Sequence, residues 1–143
     1  MENISEKGIY ILKLKLTKDM IISIGKLGNY SFKRGVYLYV GSAFGPGGIS
    51  GRLKHHRDKN ARQHWHIDYL NRNCALKDIF YFCTPAKSFE HKTALLLSAV
   101  FCEPVKGFGS SDCSCFSHLF YSPTDCSGED IIRITKLGFN PYL

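Results

Sequence analysis

The stretch 35–56, GVYLYVGSAFGPGGISGRLKHH, places Tyr37 and Tyr39 on a β-branched run, a glycine-rich corner after it, and then Arg52, His55 and His56. Those residue types suit the hydrolysis of a phosphodiester. That reaction needs a water aimed and deprotonated, growing charge on the phosphoryl oxygens neutralised, and the leaving oxygen assisted. A tyrosine with a pKa of about 10 is a poor base unless a cation or a metal lowers it. Arg52 is such a cation, Glu90 further along is a carboxylate able to hold a metal, and His56 is a second polar group. Each has a competing reading. Tyr37 and Tyr39 also satisfy β-propensity and packing, Glu90 also suits a first helical turn, and His56 also suits a satisfied, partly buried position.

Positioning those groups requires a strand, a corner and a helix in that order. Tyr37 and Tyr39 alternate with Val36, Leu38 and Val40, so the tyrosines share one face of a strand. Beyond SAFGPGG, the segment ISGRLKHHRD puts Ile49, Leu53 and His56 on one helical stripe, with Arg52 one turn before His56. Upstream, GIYILKLKL alternates Tyr10, Leu12, Leu14 and Leu16 against Ile9, Ile11, Lys13 and Lys15, the period of a half-buried strand. That phase puts Tyr10 with the leucines, in a core position at the edge of the sheet. A third apolar run, MIISIG, lies between the two strands, and an antiparallel three-stranded meander is the simplest arrangement. The segment HWHIDYL predicts a short helix and DIFYFCT a further strand. Ser88 offers an N-cap to FEHKTALLLSAVF, where Glu90, Ala94, Leu97 and Phe101 form one stripe. A last helix is predicted from Gly128, with Ser127 as cap and Gly138 as stop.

Two other clusters could carry chemistry. His64 and His66 flank Trp65, with Asp68 one turn from His64; metal or phosphate binding is open to them, and a packed tryptophan with satisfied imidazoles is the favoured reading. In GFGSSDCSCFSHLFY, the set Cys113, Cys115 and His118, with Cys126, has poor spacing for structural zinc, so a loop held by Asp112 and serine hydroxyls is preferred.

The whole chain bounds the partner. Its 143 residues and 44% hydrophobic content fit one domain with a proper core. A formal charge of +7 favours an anionic partner. No run reaches the roughly 18 apolar residues of a membrane span, and MENISEKG lacks the pattern of a secretory leader. A cytoplasmic location is expected, with the six cysteines mostly reduced and buried.

Gly8, Ile9 and Tyr10, followed by Tyr39, Val40, Gly41 and Arg52, resemble the GIY-YIG nuclease superfamily. The blocks YLYVGSA, GGISGRLKHH, HWHIDYL and GFGSSDCSCFSHLFY resemble more closely the domain of unknown function DUF123, a small GIY-YIG-like family. The resemblance implies an α+β fold with a central three-stranded antiparallel sheet flanked by helices, spanning 1–143 as a single domain. It implies Tyr10 and Tyr39 beside the scissile phosphate, Arg52 stabilising its charge, and Glu90 binding one divalent metal, magnesium or another such as manganese; the helical stripe adds His56 as a group contacting the phosphate or supporting those that do, and the cysteine spacing disfavours zinc. Lys33, Arg34, Lys54, His55 and Arg57 are then candidate nucleic-acid contacts, and Tyr37, Ser42, His66, Ser111 and Asp112 candidate cleft-lining residues. The implied activity is DNA endonuclease, of use in repair or recombination. Tyr10 and Tyr39 lie farther apart in sequence than in the superfamily pattern, because MIISIG intervenes. A non-catalytic nucleic-acid-binding module with a basic cleft, and thiol or metal chemistry at Cys113, Cys115 and His118, are the alternatives.

Overall fold

The computed structural model describes residues 3–100, 103–105, 108, 117–125 and 128–142. In chain order these form β1 (Gly8–Leu16), β2 (Met20–Ser23), β3 (Asn29–Phe32), β4 (Gly35–Ala43), α1 (Gly48–Arg57), α2 (His66–Asn71), β5 (Ala75–Cys83), α3 (Ser88–Val100), β6 (Glu103–Pro104), β7 (Leu119–Ser122), α4 (Gly128–Thr135) and β8 (Asn140–Pro141). Residues 101, 111–113, 115, 126 and 127, which carry several sequence expectations, lie outside the described residues.

The fold is α+β, but its sheet is larger than the expected three strands. Among the described residues six strands run in the order β6-β7-β4-β1-β5-β8, and each neighbouring pair is antiparallel. The expected meander is also corrected. Strand β1 has both edges occupied, by β4 on one side and β5 on the other, so β2 has no edge to join. It pairs instead with β3 as a separate two-stranded sheet, closed by Gly25 and Gly28 at positive φ. Ile21 on β2 is 73% exposed while Ile22, Ile24 and Phe32 are buried, so this hairpin lays one side on the core. The long insertion between Tyr10 and Tyr39 is therefore a folded flap, and β1 and β4 still meet, with Tyr10 opposite Gly41.

Both faces of the large sheet are covered, which makes β1 buried on both sides rather than half-buried. On one face Tyr10, Leu12, Leu14, Tyr37 and Tyr39 pack with Ile49 and Leu53 of α1, Ile67 and Leu70 of α2, and the hairpin. On the other, Ile9, Ile11, Leu38 and Val40 pack with Ala94 and Leu97 of α3 and Ile131 of α4. Burying each large aliphatic of these two layers stabilises the fold by about 1.5–3 kcal/mol. The buried charge on that face of β1, Lys13, is paired with Asp78 at 3.5 Å and Asp125 at 2.6 Å.

The start of α1 is fixed by the N-terminal segment. The backbone N–H groups of Ile49 and Ser50 donate to the carbonyls of Glu6 and Ile4, which satisfies two of the helix's orphan donors. That close approach needs Gly48: it sits at φ +59, and a Cβ there would overlap the Ser5 and Glu6 carbonyls.

Candidate functional site

The ladder between β7 and β4 ends at Leu119 opposite Tyr39, with one more bond from Val40 N–H to the His118 carbonyl. Past that point a cleft of about 320 Å³ opens beside β4. Its walls come from both layers: Tyr39 and Ser42 from opposite faces of β4, Arg52 from α1, His64 to Ile67 from the start of α2, Lys87 and Glu90 from the start of α3, and His118 from the approach to β7. Among the described residues, two fixed cations and three imidazoles thus face one carboxylate.

Arg52 is held over the Trp65 ring, its guanidinium carbon 3.9 Å from the ring centroid, a cation–π arrangement. Trp65 is in turn held by Asp68. That carboxylate accepts the backbone N–H of Trp65 and of His64, both at 2.8 Å, and the His55 ring at 2.9 Å. Burial pushes Asp68 up, but those donors outweigh it and hold its pKa below the usual range.

Beneath the cleft floor runs a buried polar chain. Tyr10 is 0% exposed, its hydroxyl 2.7 Å from His56 Nε2, with the positive charge of Arg52 close enough to act on the phenol. His56 Nδ1 makes no hydrogen bond and lies 3.6 Å from Asp68 Oδ1. Burial depresses the His56 pKa well below its ordinary value, the Asp68 charge opposing only in part. Gly41 is what admits Tyr10, since a Cβ there would overlap the phenol ring and its hydroxyl.

Tyr39 is 9% exposed, at the cleft wall, 6.4 Å from the Tyr10 ring. Burial first and the Glu90 charge second raise its pKa well above the ordinary phenol value, against the lowering effect of Arg52. Tyr10 is raised as well, chiefly by burial. Both phenols hold their protons at neutral pH.

Of the residues predicted from sequence, the cleft brings together Tyr39, Ser42, Arg52, His66 and Glu90. Tyr10 and His56 lie directly behind it in the core rather than at its surface. Tyr37 lies away from the cleft: it is buried against Phe32 and Tyr121, and its hydroxyl donates to the Lys33 carbonyl at 2.7 Å. Lys33 and Arg34 are exposed just before β4, the nearer of them, Arg34, five residues or about 16 Å from Tyr39. Lys54 and Arg57 are exposed on α1, and His55 is committed to Asp68. Ser111 and Asp112 lie outside the described residues. Sequence reasoning did not select Trp65, His64, Lys87 and His118 for this site. The histidines flanking Trp65 were a signal for the first two, and Lys87 carried none. His118 was visible only as a member of the cysteine-rich loop.

The family model described as a domain of unknown function, DUF123, matches residues 9–137. The chain belongs to the DUF123 family. The match spans Tyr10, Tyr39, Arg52, Glu90 and His118, so every part of the cleft falls within the DUF123 domain. No curated protein and no solved structure matches the chain. No group of three or more metal-ligating side chains occurs among the described residues of this DUF123 domain, and no helix among them is long and apolar enough to cross a membrane.

Proposed function

We propose that this DUF123 domain is a divalent-metal-dependent DNA endonuclease of GIY-YIG type. The observation that carries the reading is the convergence of Tyr39, Arg52 and Glu90 on one cleft, although they come from a strand and two helices on opposite sides of the sheet. A DNA strand is attracted by the net charge of +7. In the cleft, Arg52 takes a phosphoryl oxygen, its orientation set by the Trp65 ring against which it stacks. Tyr39, protonated at neutral pH, donates a hydrogen bond and fixes the phosphate or the incoming water.

Glu90 suits a magnesium or manganese ion: it is one carboxylate, mostly buried at the cleft wall, and magnesium is commonly held by one or two carboxylates with water and substrate phosphate completing its shell. Such an ion supplies charge neutralisation and an activated water. Lys87 at the cleft mouth adds a further positive charge for the approaching strand.

The test is nicking of branched, flapped and damaged DNA by the full chain with magnesium or manganese. Arg52→Ala and Glu90→Gln are each expected to lose about 100-fold or more of the rate while retaining the wild-type melting transition. Salt-sensitive DNA binding with no cleavage across metals and substrates would replace this reading with that of a binding module. Unchanged nicking in both variants would remove Arg52 and Glu90 from the chemistry.

A further inference from the structure

We propose that His118 is a second protein donor to the divalent ion held by Glu90, and that this mixed edge makes the site select manganese over magnesium. The proposal rests on the metal-dependent reading above and specifies its ion. His118 Nδ1 lies 3.7 Å from Glu90 Oε2, and both residues line the cleft. With metal–ligand bonds of about 2.1 Å, two donors on one ion stand at most about 4.2 Å apart, so the pair is already within the span one ion bridges.

The backbone pins His118 in that place. Its N–H donates to the Phe108 carbonyl at 2.8 Å and its carbonyl accepts from Val40 at 2.9 Å. On its other side, the Ser117 hydroxyl accepts the Leu119 N–H at 2.9 Å. An imidazole only 2% exposed and fixed at both flanks is preorganised towards its neighbour. Glu90 approaches from the first turn of α3. The remaining positions would belong to water and phosphate oxygens, since the described residues supply no third ligand in reach.

The donor set decides the ion. Magnesium prefers an all-oxygen shell and sheds its waters reluctantly. Imidazole nitrogen is a better donor to first-row transition ions, and manganese accepts carboxylate, water and nitrogen together. A lone glutamate would leave little preference between the two ions; a glutamate with a histidine does not.

The experiment titrates the full-length protein with manganese, following loss of the free-ion electron paramagnetic resonance signal, with magnesium as competitor. The wild type is expected to bind manganese at least about tenfold more tightly than magnesium, and the bound ion should show nitrogen-14 coupling in pulsed spectra. In His118→Gln the coupling should vanish and the preference collapse. In His64→Gln and His66→Gln both should survive, which keeps the assignment testable even if His118→Gln fails to fold. Absence of coupling in the wild type, its persistence in folded His118→Gln, or its loss in the His64 or His66 variant overturns the proposal. Manganese coupled to His118 without any nicking would sink the nuclease reading and leave this one standing; magnesium-supported nicking with no coupling would do the reverse.

Discussion

Replacing Tyr10 by phenylalanine removes one oxygen from a region with no access to water, and the structure sets the cost. The hydroxyl is the hydrogen-bond partner of His56 Nε2 at 2.7 Å. His56 Nδ1 already lacks a partner, and the residue is 1% exposed. Tyr10→Phe therefore strands both ring nitrogens of a buried imidazole, and one unsatisfied buried polar group costs about 1–3 kcal/mol. The ring stays, so no cavity contributes. For a domain of this size that corresponds to a fall in melting temperature of about 3–10 °C. Urea unfolding of Tyr10→Phe, His56→Leu and the double variant would measure it. The double variant should be less destabilised than the sum of the singles by about 1–2 kcal/mol, because with the imidazole gone the lost hydroxyl strands nothing. Stability of Tyr10→Phe within about 0.5 kcal/mol of wild type would refute the buried Tyr10–His56 hydrogen bond.

Two further outcomes follow from the same region. Gly41→Ala should cost about 1–3 kcal/mol, because its Cβ would overlap a Tyr10 ring anchored by its own hydroxyl, whereas Gly45→Ala, which meets nothing within 4 Å, should leave urea unfolding unchanged. Stability should also fall on mild acidification: with the His56 pKa depressed on folding, the unfolded chain takes up the extra proton below about pH 6.5. Its contribution is therefore constant above that pH and is lost below it by up to about 1.36 kcal/mol per pH unit. Asp68, His55, Arg52 and Lys59 surround the ring, and the donors to Asp68 hold its pKa below the ordinary carboxylate value against the effect of burial. Unfolding between pH 7.5 and 5 in wild type and His56→Leu isolates the effect, and equal slopes would exclude it.

Alternation located β1 and β4, because period two reports which side chains share a face. It says nothing about partners. MIISIG alternates like its neighbours, yet joins a different sheet because β5, far along the chain, had taken the free edge of β1. The same alternation placed Tyr10 in phase with Leu12 and Leu14, and the structure puts all three in one core. The resemblance implies Tyr10 beside a phosphate; in the structure its hydroxyl meets His56 in the core, behind the cleft. Trp65 and His118 are harder to place because their neighbours are distant in sequence: Arg52 lies on α1, and Glu90 lies on α3.

The termination of β7 is what makes those distant pairings possible. A sheet normally separates the side chains of its two faces, and here Tyr39 belongs to the α1 and α2 layer while Glu90 rides on the α3 layer. Had β7 continued along β4 beyond Tyr39, its backbone would have walled one set from the other. It ends there instead, with His118 at the turning point, so Ser42 from one face and Tyr39 from the other border the same space. The site is thus an edge feature of the sheet. Substitutions that lengthen the β4–β7 ladder should close the cleft without touching Arg52 or Glu90.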